Sequence, residues 1–164
     1  MTNKIIRIFS VLFIYGANQA FSQATVPPLN QKVIEYIATT IGTQVNRGEC
    51  WDLAYEALTR NEAMWDWAYE YGEKIDPRHD TIFPGDFVQF EDVVMKYQKG
   101  NMLITETMEH HTAIVYRVID ADNLIYELAH QNTEFSGRKV GLSEFNLNYV
   151  TKGHVKFYRP VPLE

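Results

Sequence analysis

The segment ECWDLAYEAL, residues 49–58, places the only cysteine of the chain, Cys50, in the first turn of a predicted helix. Apolar residues recur along this segment at spacings of three and four, which marks one helix face for burial. The free N–H groups of a helix N-terminus favour a thiolate, so this position is expected to lower the thiol pKa. We therefore expect Cys50 to be a nucleophile. The alternative is a small buried hydrophobic residue, as free cysteines often are.

The composition sets limits on the class of protein. The chain has 164 residues, a length that suits one domain, and 46% of them are hydrophobic, as in ordinary globular proteins. It has 15 Lys and Arg against 21 Asp and Glu, and this acidic balance argues against nucleic acid as a partner. A single cysteine excludes an internal disulfide and a cysteine-rich zinc site.

The first 22 residues have the pattern of an export signal. A short basic start is followed by an apolar run at residues 8–15, which is shorter than the roughly 20 residues that span a bilayer. Small residues then occupy the −3 and −1 positions of a cleavage site after Ser22. We predict a signal peptide over 1–22 and a single domain over 23–164. The protein is then periplasmic or extracellular, without stable membrane association. A buried N-terminal helix and a retained membrane anchor are the alternatives.

The rest of the chain predicts helices followed by strands. A first helix is expected over residues 30–41, with Asn30 as its cap. The aromatic stretch at 65–71 is compatible with either a short strand or continued helix, and 142–145 with a helical turn. Four strand signals follow the second helix, at residues 86–90, 112–119, 124–128 and 154–158, with a tight turn at 120–123 between the second and third. This order indicates an α+β fold, with N-terminal helices packed on one face of an antiparallel sheet.

Two adjacent histidines are candidates for the base that a nucleophilic cysteine needs. His110 and His111 open the predicted strand HHTAIVYRV. Neighbouring residues on a strand point to opposite faces, so only one of them can face the helix-covered side. Periodicity alone does not choose between them. The same geometry disfavours one metal site that uses both.

Further polar residues are candidates for supporting roles. His130 and Asn132 lie two apart near the end of the next strand, and pairing across the 120–123 turn brings them beside the histidine pair. A group there would orient the imidazole. Gln44, six residues before Cys50, is a candidate donor to an oxyanion, together with the Cys50 backbone N–H. The alternative for Gln44 is a solvent-facing polar residue.

Four strings in order carry a family resemblance: GECWDLA (48–54), PGDFVQF (84–90), HHTAIVYRV (110–118) and YELAHQN (126–132). Together they resemble the NlpC/P60 and CHAP superfamily of papain-like cysteine peptidases, over about residues 44–158. The resemblance implies a papain-like fold and selects His111 over His110 as the base. It also implies that His130 and Asn132 match the positions of the third polar group.

The chain departs from that superfamily next to the nucleophile. Glu49 precedes Cys50 where Asp or Gln is usual, and the aromatic residues at 51 and 65–71 are not typical of cell-wall members. The GECWDLA and EHHTAIV strings are more similar to a divergent branch, the C-terminal domain of some fungal actin-associated proteins.

The resemblance implies an exported cysteine hydrolase that cleaves peptide or amide bonds, with peptidoglycan stem peptides as the substrate for a bacterial member. Cys50, His111 and His130 would form a Cys-His-His triad, supported by Asn132 and Gln44, with no metal and no organic cofactor. One alternative is a catalytically inactive papain-like domain that binds a peptide or glycan through the aromatic stretch. Another keeps the triad for acyl transfer or for a different amide or ester.

Overall fold

The computed structural model describes residues 25–163, which form two helices and a six-stranded sheet. The predicted signal peptide over 1–22 lies outside the described residues. The elements in chain order are α1 (Pro28–Thr40), α2 (Cys50–Arg60), β1 (Glu73–Ile75), β2 (Phe87–Lys99), β3 (Met102–Asp120), β4 (Ile125–His130), β5 (Gly141–Asn146), a short 3-10 helix (Leu147–Tyr149) and β6 (Val150–Arg159).

The strands form one sheet in the order β1-β6-β2-β3-β4-β5, and every neighbouring pair is antiparallel. The β2–β3 hairpin is its longest unit and pairs from Phe87 and Ile114 to Lys99 and Met102. Alternating side chains bury apolar residues on both faces of the sheet. One face packs against α1 and α2, and the other buries a second cluster of side chains from β2, β3, β4 and β6. The fold is therefore α+β, mostly an antiparallel sheet with two helices.

Several sequence predictions agree with this architecture. The second helix begins at Cys50 as expected, and a turn separates β3 from β4 at residues 121–124. The first helix begins at Pro28, two residues earlier than predicted, because proline suits the first helical turn. Asn30 is therefore not its cap but a buried residue inside the helix.

Other predictions were wrong in ways that tertiary pairing explains. Residues 142–145 form part of β5 rather than a helical turn, since their backbone pairs with β4 from Leu142 to Phe145. The hairpin is longer than the two predicted strands, because β2 also includes residues 91–99 and β3 also includes residues 102–109. The stretch 65–71 is neither strand nor helix but a turn, in which the Asp66 backbone N–H donates to the Glu70 carbonyl at 3.1 Å.

One buried carboxylate connects α1, β2 and β6. The Asp86 side chain is fully buried and accepts hydrogen bonds from the Asn30 amide at 2.7 Å and the Phe83 backbone N–H at 2.8 Å. Its charge is balanced by the Arg159 guanidinium, whose Nη2 lies 3.0 Å from Oδ2. Because a buried charge is costly without such partners, this residue depends on both α1 and β6 being in place.

Removing the cation that faces Asp86 should destabilise the protein strongly. We expect Arg159→Met to lower the free energy of unfolding by about 3 to 5 kcal/mol, since it leaves a buried carboxylate without its counter-ion. Arg117→Met is the matched control, because its pair with Glu127 is solvent-exposed and should contribute less than about 1 kcal/mol. Urea unfolding measures both. Equal effects of the two substitutions would contradict this role of Asp86.

Candidate active site

The start of α2 is fixed by a network around Asp52. The buried Asp52 carboxylate accepts the Glu49 backbone N–H at 3.1 Å and pairs with the Arg47 guanidinium at 2.7 Å. The side chain of Gln131, fully buried, donates to the carbonyls of Val45 and Glu49, at 3.1 and 2.8 Å. These contacts hold the loop before Cys50 against the end of β4. The position of the cysteine is therefore set from both sides of the helix start.

The Cys50 sulfur lies against β3 at the peptide bond that joins His111 to Thr112. Val115 donates its backbone N–H to the Asp86 carbonyl at 2.8 Å, so alternate residues of β3 bond β2. The N–H of Thr112 then points away from β2, toward the β4 side. Paired residues of β3 and β4 begin only at Ile114, and this N–H lies close enough to the Cys50 sulfur to lower the thiol pKa.

The Cys50 thiol is not activated in the way the sequence suggested. Burial raises its pKa, and the nearby Glu49 carboxylate acts in the same direction. Hydrogen bonds from the backbone N–H groups of Thr112, Trp51 and Cys50 itself offset this only in part. The expected lowering of the pKa by the helix N-terminus is therefore wrong. The resting residue is a thiol rather than a thiolate at neutral pH.

The structure brings His111 and His130 into direct contact. His111 Nε2 lies 2.8 Å from His130 Nδ1 across β3 and β4, and His130 Nε2 lies 2.8 Å from the Ser143 hydroxyl on β5. Within residues 25–163, no hydrogen bond engages His111 Nδ1. Burial lowers the pKa of His111 to about 4, with a further contribution from His110, and burial together with His111 lowers the pKa of His130 to about 3. Both imidazoles are therefore neutral at pH 7.

The two neighbouring histidines occupy opposite faces of β3. His110 lies on the same face as Ile114, which packs against α2, whereas His111 lies on the same face as Ala113, in the second core. Periodicity had left open which of them faces the helices. That residue is His110, whose Nδ1 lies 2.9 Å from a Glu91 carboxylate oxygen. Cys50 therefore meets the His111 peptide at the edge of β3 rather than across the helix-covered face.

The two supporting residues that the sequence suggested have other partners. Asn132 is exposed, and its amide donates to the Glu49 carboxylate at 2.9 Å rather than to the histidine pair. Gln44 is also exposed, and its amide donates to the Asn46 carbonyl at 3.0 Å. Contrary to the expectation, we therefore assign Gln44 no role at an oxyanion.

Two polar residues near the site were missed in the sequence. Gln131 stands between His130 and Asn132, and strand alternation alone would have placed it on the face that α2 covers. Ser143 had no such signal, because 142–145 was predicted as a helical turn.

A groove of about 930 Å³ opens beside the histidine pair. Its walls come from the β2–β3 hairpin, the segment after β4, and β5. They include His111, His130, Asn132, Phe135, Ser143 and Phe145. Among the residues that the structure describes, no group of three His, Cys, Asp or Glu is placed to hold a metal ion. No helix in that part of the chain is long and apolar enough to cross a membrane.

The protonation of the histidine pair can be tested directly. We expect long-range ¹⁵N–¹H NMR to show both imidazoles neutral down to about pH 5, with His111 titrating near pH 4, because burial penalises the charged form. As the pH falls from about 6.5, the unfolded imidazoles bind protons first, so the folded state should lose stability toward pH 4. A His111 signal that titrates near the ordinary value of about 6.5 would contradict the assigned burial.

Comparisons with known proteins agree with a cysteine proteinase fold. The family model described as the AIM3/BBC1 cysteine proteinase-fold domain matches residues 28–164. The chain is 29% identical over 150 residues to Altered inheritance of mitochondria protein 3 of Debaryomyces hansenii. That alignment covers 78% of this chain and 16% of the relative, so the chain spans only a small part of the relative's length.

Two crystal structures were also matched. That of Ly7917 has a TM-score of 0.48 at 12% identity and covers 79% of this chain and 62% of that one. That of Ly7917 with the hydrolyzing product of MDP has a TM-score of 0.44 at 15% identity, with coverages of 80% and 63%. Because the family model extends from the first residue of α1 to the end of the sequence, the chain belongs to the AIM3/BBC1 cysteine proteinase-fold domain family.

Proposed function

We propose that the protein is a cysteine hydrolase that cleaves a peptide or amide bond, in the manner of the NlpC/P60 and CHAP enzymes. Cys50 is the nucleophile, His111 is the base, and His130 orients His111. The observation that supports this most is the 2.8 Å contact between His111 Nε2 and His130 Nδ1, together with the influence of the next residue's backbone N–H, that of Thr112, on the Cys50 thiol. A base that a third group holds in orientation is one part of the arrangement that nucleophilic catalysis requires.

The tautomers of the pair decide whether His111 can act as a base. His111 must carry its proton on Nε2 so that Nδ1 is free to accept the thiol proton. Nε2–H then donates to His130 Nδ1, which leaves the His130 proton on Nε2, facing the Ser143 hydroxyl. Ser143 accepts this hydrogen bond. In the reverse arrangement Ser143 donates, and His111 Nδ1 is protonated and cannot accept.

The reaction follows from a neutral thiol and a neutral imidazole. As the Cys50 sulfur bonds to the carbonyl carbon, its proton passes to His111, and the carbonyl electron pair moves onto oxygen, where the Cys50 backbone N–H donates to it. The carbon–nitrogen bond then breaks, and His111 returns the proton to the leaving amine. Water, deprotonated by His111, hydrolyses the thioester and regenerates the thiol.

The proposal also includes where the enzyme acts and which substrates it cleaves. Export to the periplasm or the extracellular space rests on the signal pattern of residues 1–22. An exported hydrolase of this kind has peptidoglycan stem peptides as its first candidate substrates, and peptides are the broader class.

A second function is favoured by the raised pKa of Cys50 and its burial. An inert thiol would leave a papain-like domain that binds a peptide or glycan without cleaving it.

Acyl transfer by the same residues is another alternative, and product analysis distinguishes it from hydrolysis.

Acylation by p-nitrophenyl acetate tests the nucleophile and the base together. We expect a burst of p-nitrophenolate and an acetyl adduct on Cys50, both absent from Cys50→Ala. His111→Asn should slow acylation by about 100-fold, because the thiol loses its base. His79→Asn is the matched control, since its ring is 80% exposed in the loop after β1. Equal losses from the two substitutions would rule out His111 as the base, and no acylation of the wild type would favour the binding domain.

Substitution of Ser143 tests the assigned tautomers. Ser143→Ala removes the acceptor for His130 Nε2–H, and an unsatisfied donor costs about 1 to 3 kcal/mol. We expect acylation to slow by about tenfold, whereas Ser143→Thr, which retains a hydroxyl, should preserve most of the rate. A Ser143→Ala variant with an unchanged rate and unchanged imidazole ¹⁵N shifts would show that the serine does not set the tautomers.

A further inference from the structure

Five aromatic side chains form a cluster on the surface beside the start of α2. Neighbouring ring centroids within it are 4.2 to 6.4 Å apart. The aromatic cluster consists of Trp51, Tyr55, Trp65, Trp67 and Tyr69. Trp67 is 77% exposed although it contacts three of the others, so the cluster presents an open aromatic face instead of closing into a core.

The aromatic cluster borders the proposed nucleophile on the helix-covered face of the sheet. Trp51 directly follows Cys50 in the chain. Tyr69 contacts the ring of His110 edge-on, with the centroids 4.2 Å apart, and His110 lies on the face of β3 that α2 covers. A substrate bound at the sulfur therefore has the aromatic cluster as its neighbour.

The surroundings of the aromatic cluster are acidic. Between positions 49 and 74 the chain carries seven acidic residues and two basic ones, and three of the seven, Glu49, Asp52 and Glu56, pair with arginines. Asp66 and Glu70 flank Trp67 in one turn, where Asp66 Oδ1 accepts the backbone N–H of Ala68 and of Glu70, each at 2.9 Å. Within the described residues 25–163, neither carboxylate forms an ion pair with a basic side chain.

The negative field of this turn reaches the neighbouring sheet. Burial raises the pKa of Tyr158, and Glu70, Asp66 and Glu91 add to that rise. Aromatic faces attract cations, and nearby carboxylates strengthen that attraction. An anionic or purely apolar ligand gains nothing from the carboxylates. The combination fits a cationic group carried on an alkyl stem.

We propose that the aromatic cluster is a substrate subsite that takes the lysine or arginine side chain of a peptide. This inference rests on the proposed function, because it names the class of substrate presented to Cys50. The alkyl stem of the side chain packs on Trp67, and its cationic head lies between the aromatic rings and the Asp66 and Glu70 carboxylates. The site then prefers peptides with a basic residue next to the bond that is cleaved.

Intrinsic fluorescence reports on this site selectively, because all three tryptophans of the chain belong to the aromatic cluster. We use Cys50→Ala, which binds without turnover, and titrate it with acetyl-Ala-Lys-Ala-amide and with the same peptide carrying norleucine. The lysine peptide should bind about fivefold more tightly at low salt, because norleucine has the stem without the charge. High salt should reduce that difference.

Matched variants locate the binding. Trp67→Ala in the Cys50→Ala background should remove the preference for lysine, and Trp67→Phe should retain part of it. Glu70→Gln should weaken binding of the lysine peptide alone. Glu134→Gln is the control, since Glu134 lies in the groove on the other side of β3. A preference lost in Glu134→Gln and kept in Trp67→Ala would overturn the assignment, as would equal affinities for the two peptides.

Titration with an oligosaccharide tests the remaining alternative, that the aromatic cluster binds a glycan. Tight binding of chitotetraose with no preference for lysine would overturn the proposal in favour of a glycan surface. Since binding is measured without a nucleophile, its outcome is independent of acylation. A preference for the lysine peptide without acylation would refute the hydrolase and support the subsite. Acylation without a preference for the lysine peptide would support the hydrolase and refute the subsite.

Discussion

The buried carboxylate of Asp86 is the constraint on which the remaining structure depends. It requires Asn30 from α1 and Arg159 from β6 as partners, so the first helix and one neighbour of β2 must be in place before the charge is satisfied. The backbone carbonyl of the same residue accepts the Val115 N–H and so fixes the register of β2 and β3. That register turns the Thr112 N–H away from β2 and toward the Cys50 sulfur. A stabilising interaction thus also determines the geometry of the site.

The chemistry of the site is governed by exclusion of water rather than by a helix N-terminus. Burial raises the pKa of Cys50 and lowers that of both histidines, so each group is held in its neutral form. A neutral thiol and a neutral imidazole suit a mechanism in which the proton moves as the sulfur attacks. The Ser143 hydroxyl contributes to this mechanism, because its hydrogen bond with His130 selects which imidazole nitrogen carries the proton.

Much of the fold and part of the site were predictable from local patterns. Helical spacing and strand alternation identified both helices and four of the six strands, and the turn before β4 indicated that His130 would lie near His111. The β1 and β5 strands and the far part of the hairpin were missed, because short or polar strands form only when a partner strand completes their hydrogen bonds. Gln131 and Ser143 were missed for the same reason, since their contacts join segments far apart in the chain.

The sequence by itself determined the α+β class, the position of Cys50 at the start of α2, and the candidate histidines, since these depend on residue type and on periods of two and 3.6 residues. Only the tertiary structure decided which face each histidine occupies, which partners Gln44 and Asn132 take, and the direction of the Cys50 pKa. Burial and strand register are properties of the packed sheet. They arise from contacts between residues that the sequence separates by tens of positions.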